Sequence, residues 1–599
     1  MKIRKHYLTL RRSFPDVHEE HPLEITLEEL ALHLDCTHRN MVLLLKRMQQ
    51  EEWLTWLPKK GRGNRSTLIF HARKEDMLME EAKELVAKQD LHSALELLQA
   101  AEHASSLREQ FQVWLSGQFG FRTEVQGQRR TDILRFPLTQ TIHALDPAAI
   151  HYAGESHLVN QLFDGLVRMD AKGDQILPHL AHAWDVDDSR TLWTFYLRKG
   201  VQFHHGHEML ASDVKYSLER LRRLAPRGLY SWAYAGINDI TTPNETTVCI
   251  QLSERNELFL GFLTTNRASI VPADVCEAAS GRMDKSPVGT GPFRLIGHEQ
   301  GIWILEAFPA YFQGRGFLDR VEVWTLPENE QTELSAQKQP FQVMHNVRIS
   351  DMEAQRWQQV RQSGMTTKFM TVNELKDGPL KDPFIREALN LGLNQSYLLE
   401  QLSGDVIEAA SSFFLQPKQD TDRSNHVIST TAQLIEVKQL LASAGYKGDV
   451  LKLATIPQYE QDALLLQKMY AMSGILLEIL LIPAEDFKGE QRMTADLLLF
   501  AVMLDEHREL RLYDMYKSMR QHAAPEVQTM LDDSLQLLRS ESDPKRRMAL
   551  LEQLESQLKQ RHSLLFLYRK HLKTAYHPSI RGISLDSLGW VRFRDIWFT

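Results

Sequence analysis

Near the N-terminus apolar side chains recur at helical spacing. Leu27, Leu30, Ala31 and Leu34 stand at i, i+3, i+4 and i+7, and the same spacing restarts at Met41, Leu44, Leu45 and Met48. Thr26-Leu27-Glu28-Glu29 fits a capping box, in which the threonine hydroxyl accepts from the third helical amide and Glu29 reaches back to the cap amide. Asp35-Cys36-Thr37 interrupts the pattern, which predicts two short helices joined by a tight turn. Aromatic and β-branched runs follow, Trp53 to Leu57 and Ser66 to Phe70, separated by Pro58-Lys59-Lys60-Gly61-Arg62-Gly63-Asn64-Arg65. They predict a hairpin with a cationic tip. Residues 76–117 run from Met77-Leu78-Met79 through Leu85, Leu91, Leu95, Leu97 and Leu98 to Trp114 without proline, the pattern of an amphipathic helical connector. From Thr131 onward β-branched runs mix with amphipathic helices, as in an α/β protein of more than one lobe.

Charge sharpens the reading of the first segment. Residues 1–75 hold 14 Lys+Arg against 10 Asp+Glu, whereas the rest of the chain is acidic and the whole carries a net charge of -8. The second predicted helix opens with Thr37, His38, Arg39 and Asn40 and continues to Lys46 and Arg47 on its polar face. Such a helix meets base edges with its N-terminal side chains and phosphates with its lysine and arginine. Lys59, Lys60, Arg62, Asn64 and Arg65 place further DNA-contacting groups on the hairpin tip. Together these features read as a winged helix-turn-helix over residues 1–75, with double-stranded promoter DNA as partner. A small helical protein-interaction module with merely solvated cations is the alternative. For residues 76–117 two readings stand side by side: a lever or dimer contact that carries a state to the head, or a spacer packed on a neighbour.

Composition adds exclusions. With 43% hydrophobic and 25% charged residues over 599 positions, the chain is that of a folded globular protein rather than a disordered one. Cys36, Cys249 and Cys276 lie far apart, in no disulfide or zinc spacing. Charges recur before any apolar signal region forms after Met1, and the longest apolar run, between Asp496 and Asp505, is half of what a membrane span requires. A cytoplasmic protein without membrane insertion is expected.

The body carries a resemblance. Leu145-Asp146-Pro147, Phe163-Asp164-Gly165-Leu166-Val167, Leu197-Arg198-Lys199-Gly200-Val201-Gln202-Phe203-His204, Ala211-Ser212-Asp213-Val214 and Val288-Gly289-Thr290-Gly291-Pro292-Phe293 resemble the dipeptide, oligopeptide and nickel class of periplasmic solute-binding proteins. Cys36-Thr37-His38-Arg39-Asn40-Met41, Gly61-Arg62-Gly63-Asn64-Arg65-Ser66 and the ending Gly589-Trp590-Val591-Arg592-Phe593-Arg594 are similar to the SgrR family of bacterial regulators, which join a DNA-binding head to such a domain.

The resemblance implies a multidomain chain: a winged helix-turn-helix followed by a bilobed α/β clamshell of the type II periplasmic-binding-protein kind. The expected solute-binding domain spans 118–599, with its second lobe over roughly 374–575. A small metabolite, a sugar phosphate, oligosaccharide or peptide, would bind between the lobes and alter DNA binding through a hinge motion; a homodimer is compatible with this. In peptide receptors an aspartate anchors the ligand amine, and Asp505 falls at the corresponding place, although Glu506, His507 and Arg508 replace the usual tyrosine and proline. His507 and Arg508 are therefore candidates for an anionic group, and Tyr152 and Trp184 for stacking.

Other chemistry is weaker. His204-His205-Gly206-His207-Glu208 has metal-binding residues, but neighbours on a strand-to-turn segment rarely converge on one ion, and the resemblance assigns the stretch to a structural turn. No metal, cofactor or catalytic residue is expected. Gly289-Thr290-Gly291 lacks a phosphate-loop lysine. Besides a ligand-responsive regulator, the remaining readings are a cytoplasmic carrier whose head contacts a protein, and a metal-dependent hydrolase.

Overall fold

The head of the computed structural model runs α1 (Lys2–Ser13), β1 (Pro22–Ile25), α2 (Leu27–His33), α3 (His38–Gln50), β2 (Leu54–Leu57) and β3 (Ser66–Phe70). The structure describes residues 2–59, 64–100, 104–138, 142–170, 173, 175–278, 283, 286–299, 301–325, 343–345, 358–402, 407–414, 430–484, 486–576, 580–583 and 591–598. Both halves of the capping box are present: Glu29 N donates to Thr26 Oγ1 over 3.2 Å and Thr26 N to Glu29 Oε2 over 2.8 Å. Asp35 turns the chain with φ 46°, a left-handed conformation that aspartate tolerates. Thr37 then caps α3 by accepting from Asn40 N. Leu30, Ala31, Leu34, Met41, Leu44, Leu45 and Met48 are all buried, the larger of them contributing about 1.5–3 kcal/mol each.

β2 and β3 pair antiparallel from Leu54 with Phe70 to Leu57 with Thr67, and β1 lies on the far side of β3. Two elements, α1 and β1, are not predicted by the hydrophobic pattern. Ile3, Tyr7, Leu10 and Phe14 do repeat at helical spacing, but basic residues crowd between them. Tyr7 is fully buried, with its hydroxyl 2.7 Å from the Ala72 carbonyl, and Arg11 lies 4.7 Å over the Phe70 ring.

The connector is three helices, α4 (Lys74–Ala87), α5 (Leu91–Gln99) and α6 (Ala104–Ser116). It shares one hydrophobic cluster with the head, from Tyr7 and Met48 through Ala82, Leu95 and Phe111. Arg4 of α1 lies 3.3 Å from Glu81 and 2.8 Å from Glu84 of α4. The cluster continues into the body through Phe119, whose ring meets Trp324 edge-on at 5.6 Å, and through Ile302. Head, connector and first-lobe sheet are thus one packed series.

In the first lobe, strands Phe293–Glu299, Ile302–Ala307, Arg320–Thr325, β5 (Arg129–Leu138) and β4 (Gly120–Gln126) form a sheet in that order. The pairing of Arg320–Thr325 with β5 is parallel and the others are antiparallel. A separate antiparallel sheet holds Ile237–Asn244, Thr247–Leu252, Leu192–Leu197 and Ala181–Val186, covered by helix Ala211–Leu224.

The second lobe has a mixed sheet ordered Val343–His345, Leu564–Tyr576, Gln358–Val372, Leu497–Met503, Leu451–Thr455 and Leu477–Leu481. Two strands of this sheet, Val343–His345 and Gln358–Val372, precede residue 374, near which the second lobe was expected to begin. The final segment returns to the first lobe. Val591, Phe593 and Ile596 enter its core, and Phe598 stacks on Phe121 at 3.7 Å.

Candidate functional site

On α3 the capping threonine and the four buried apolar residues fix which face looks outward. Thr37, His38, Arg39, Asn40, Lys46 and Arg47 are all exposed. Arg39 and Lys46 are seven residues apart and so lie on one face. Among the described residues Arg39, Lys46 and Arg47 have no ion-pair partner. Thr37 spends its hydroxyl on the helix cap, which makes its role structural as well as positional.

The hairpin cations differ. Lys59 lies 3.2 Å from Glu24 of β1, and Arg65 lies 3.2 Å from Glu29 of α2, all four side chains well exposed. The Glu24 carboxyl is held below its ordinary range first by the Thr67 hydroxyl and then by Lys59, and that of Glu29 first by the Thr26 amide. Exposed pairs of this kind are weak and exchange readily for phosphate. Asn64 is exposed beside them. Lys60 and Arg62 lie outside the described residues.

In the body Asp505 closes the strand Leu497–Met503 and precedes helix Arg508–Met519. Its carboxylate is fully buried and already satisfied. Arg511 Nε stands 2.9 Å from both oxygens, Arg511 Nη2 bonds Oδ2, and His507 N donates to Oδ1 over 2.9 Å. Burial alone would raise the Asp505 pKa, but the Arg511 guanidinium outweighs it and holds the carboxyl below its ordinary value. A carboxylate that anchors a ligand amine needs a free lone pair facing the ligand; here the chain's own guanidinium takes that place. Arg511 was not singled out from the sequence, although its position six residues beyond Asp505 on a charged helix was a usable signal.

The turn after Asp505 rests on the first lobe. His507 Nε2 is 2.8 Å from Thr264 Oγ1, and Glu506 packs so close to Gly173 that a Cβ there would stand 2.7 Å away. Arg508 is exposed. Around this turn the two lobes share a core: Trp232 and Tyr513 rings lie 4.1 Å apart, Tyr230 N donates to Asp514, and Arg539 pairs with Glu254 at 2.6 Å.

The remaining two candidates stand elsewhere. Tyr152 is half-buried at the start of helix Ala153–Leu162, 5.5 Å from the His143 ring, its amide donating to Glu155. Trp184 is half-buried on the edge strand Ala181–Val186, packed on the core beneath that sheet. A cavity of about 390 Å³ opens between helices Pro525–Ser540 and Pro544–Gln560, lined by Glu526, Asp533, Leu537 and Leu554 among others; it contains none of these five residues.

The motifs behind the resemblance prove to be fold-keeping networks. Asp164 is buried and accepts from His179 Nε2 at 2.7 Å, Thr290 Oγ1 at 3.0 Å and Tyr311 at 3.2 Å. His204 is buried with Nδ1 accepting from Gly289 N and Nε2 facing Gly291 O. Gly289 and Gly291 run against Leu162, where an added Cβ would stand 2.1 and 2.4 Å from its backbone, so only glycine fits.

These histidines give an acid prediction. Burial lowers the His204 pKa to about 4 and that of His522 to about 3. The unfolded chain takes up protons below about pH 6.5, while the folded chain does so only near pH 4 or lower. The stability they supply is complete above pH 6.5 and is lost as pH falls toward 4, on the order of 3 kcal/mol for His204 alone. Urea midpoints measured from pH 7.5 to 4.5 should fall steeply, and less steeply in His204→Gln.

Comparisons with known proteins agree with this architecture. Residues 175–521 match the family described as bacterial extracellular solute-binding proteins, family 5 middle, and residues 2–120 match the sugar transport-related sRNA regulator N-terminal family, SgrR_N. The uncharacterized protein YhjP of Bacillus subtilis is 28% identical over 100% of both chains. The HTH-type transcriptional regulator SgrR of Pectobacterium atrosepticum is 26% identical over 96% of this chain and 95% of its own. Solved structures of periplasmic binding proteins share the fold of the body. The periplasmic binding protein DppA of Helicobacter pylori, in complex with peptide STSA, has a TM-score of 0.64 at 21% identity, over 78% of this chain and 98% of its own. NikA of Brucella suis, in complex with Fe(III)-EDTA, has a TM-score of 0.65 at 17%, over 78% and 100%. Among the described residues no helix is long and apolar enough to cross a membrane. The chain belongs to family 5 of the bacterial extracellular solute-binding proteins, and it joins that module to an SgrR-type N-terminal domain in the organisation of the SgrR transcriptional regulators.

Proposed function

We propose that the protein binds promoter DNA in the cytoplasm through α3 and the β2–β3 hairpin, and that a small metabolite held by the two-lobed body changes that binding. The observation that carries this reading is the exposed face of α3, where Arg39, Lys46 and Arg47 have no ion-pair partner among the described residues, on a helix backed by four buried side chains. Lys59, Asn64 and Arg65 extend the contact along the hairpin. The continuous packing from α3 through α4–α6 to Trp324 supports coupling, since a lobe movement displaces the sheet on which the connector rests. A ligand with different affinity for two lobe arrangements shifts DNA affinity by the same free energy.

Because Asp505 is neutralised internally, the ligand class favoured is an anionic or polyhydroxyl metabolite, a sugar phosphate or oligosaccharide, before a peptide. Arg508, exposed on the turn after Asp505, is the cationic group for it, with His507 beside it; Tyr152 and Trp184 stand on separate elements and are not part of that site. The body acts as a binding module and no catalytic role is assigned to it.

A second reading has its own support. Leu32 at 83% exposure, Leu43 and Val42 are apolar and solvent-facing on α2 and α3, which suits a protein partner for the head. Substitution separates the two. Arg39→Ala should weaken specific DNA by about 1–3 kcal/mol while sparing random DNA, whereas Lys46→Ala should weaken both similarly. Fluorescence anisotropy on paired specific and random duplexes measures this. Equal loss on both duplexes for Arg39→Ala would remove its base-reading role.

A further inference from the structure

The histidine-rich turn over residues 204–208 has two separate halves. His204 points inward and belongs to the glycine network described above. His205 and His207 point the other way. The turn closes through Phe203 N to His207 O at 2.9 Å and Gly206 N to Phe203 O at 2.8 Å, with Gly206 at φ +95° between the two imidazoles. Their rings come to 4.3 Å between centroids. Asp274, in the first turn of helix Ala273–Ala278, meets both: its Oδ2 is 3.2 Å from His205 Nε2 and 2.8 Å from His207 Nδ1. Its other oxygen, Oδ1, accepts from Val275 N at 2.8 Å, which fixes the carboxylate plane.

One donor atom from each residue lies within 4.8 Å of the other two. An ion bound at about 2.0–2.1 Å from nitrogen and oxygen ligands needs neighbouring donors roughly 3–3.4 Å apart, so the separations of 3.2 and 2.8 Å are already near the required spacing. The expectation that neighbours on this segment do not converge fails for a geometric reason. Only residues i and i+2 converge, across a left-handed glycine, and the third ligand comes from a distant helix.

We propose that His205, His207 and Asp274 form a surface site for a borderline divalent cation, Zn²⁺ foremost. Two imidazoles and one carboxylate match the preference of Zn²⁺, Ni²⁺ and Cu²⁺ rather than Mg²⁺ or Ca²⁺. The His207 side chain is 69% exposed and that of Asp274 50%, so an ion enters directly from solvent and keeps water or an external donor in its remaining positions. The Val275 amide, bonded to Oδ1, orients the carboxylate so that Oδ2 faces the two imidazoles. A bound ion ties the turn to the helix. The contrasting use of the same atoms is a pair of imidazole N–H groups donating to one carboxylate oxygen.

The test uses tag-free, full-length protein stripped with chelator and titrated with Zn²⁺ against a chromogenic competitor. Other histidines also bind zinc weakly, so the reading is a difference. His205→Gln/His207→Gln should lose one equivalent, and Asp274→Asn should weaken that equivalent by at least tenfold, with circular dichroism unchanged. Equal stoichiometry and affinity in wild type and variants would overturn the site. If the double variant does not fold, Asp274→Asn together with X-ray absorption of wild type loaded with one equivalent decides. Two imidazoles in the zinc shell support the site, and a shell without them refutes it.

Discussion

Replacing Arg220 by methionine should destabilise the first lobe by about 3–5 kcal/mol, the cost of stranding one partner of a buried ion pair. The Arg220 and Asp146 side chains are each only 2% exposed. Arg220 Nη1 donates to Asp146 Oδ1 over 2.9 Å, its Nη2 bonds Oδ2, and the same carboxylate accepts from Ala148 N at 3.0 Å. With the guanidinium gone, the carboxylate keeps its two amide donors, Ala148 N and Met283 N, and loses its counter-charge in a site closed to water. Urea unfolding of the full chain, followed through the tryptophans of the first lobe, measures the loss. Arg220→Met/Asp146→Asn should recover part of it, because no unpaired charge remains. A change below about 1 kcal/mol in the single variant would show that water reaches the pair.

Asp505→Asn is expected to have the next largest effect, about 3 kcal/mol on the second lobe, for the mirror-image reason. Here the arginine is left behind, and Arg511 is less enclosed than Arg220, at 21% side-chain exposure, which places the loss at the lower end of the range. The pairing also has a pH signature. The Asp505 carboxyl titrates below its ordinary value, so the stability it supplies is present above the unfolded pKa near 4 and is lost as pH falls through the folded value. The denaturation midpoint of Asp505→Asn should therefore depend less on acid than that of wild type. Asp505→Asn/Arg511→Gln should be more stable than Asp505→Asn alone. Equal stability of the two would mean that Arg511 finds water without Asp505, and the internal-neutralisation argument against an amine ligand would fall.

What could be read from sequence follows from how strongly local physics constrains each position. The apolar stripes of α2 and α3 and the cap at Thr26 are local features, and they folded as their spacing required. The motifs at Asp146, Asp164, His204 and Gly289 to Gly291 were recognisable because each is held by several partners at once and tolerates little change. Those same constraints serve the fold and say little about the ligand. Side chains that choose a ligand are few, exposed and set by long-range contacts. The pairing of Asp505 with Arg511, the seating of His507 on Thr264 across 243 positions, and the meeting of His207 with Asp274 depend on where elements pack, and no periodicity encodes them. α1 escaped notice because its apolar face is interrupted by basic residues, one of which, Arg11, is itself buried over Phe70.

We propose that the exposed face of α3 reads DNA. The most direct measurement is a gel-retardation titration of the full-length protein on DNA from upstream of its own gene, over a salt series and against excess random competitor. A retarded band that resists competitor, weakens steadily with salt and is lost in Arg39→Ala is the predicted result. Retardation no stronger than on random DNA, before and after addition of sugar phosphates, oligosaccharides and peptides, would contradict it and leave the apolar residues of α2 and α3 as the docking surface for a protein.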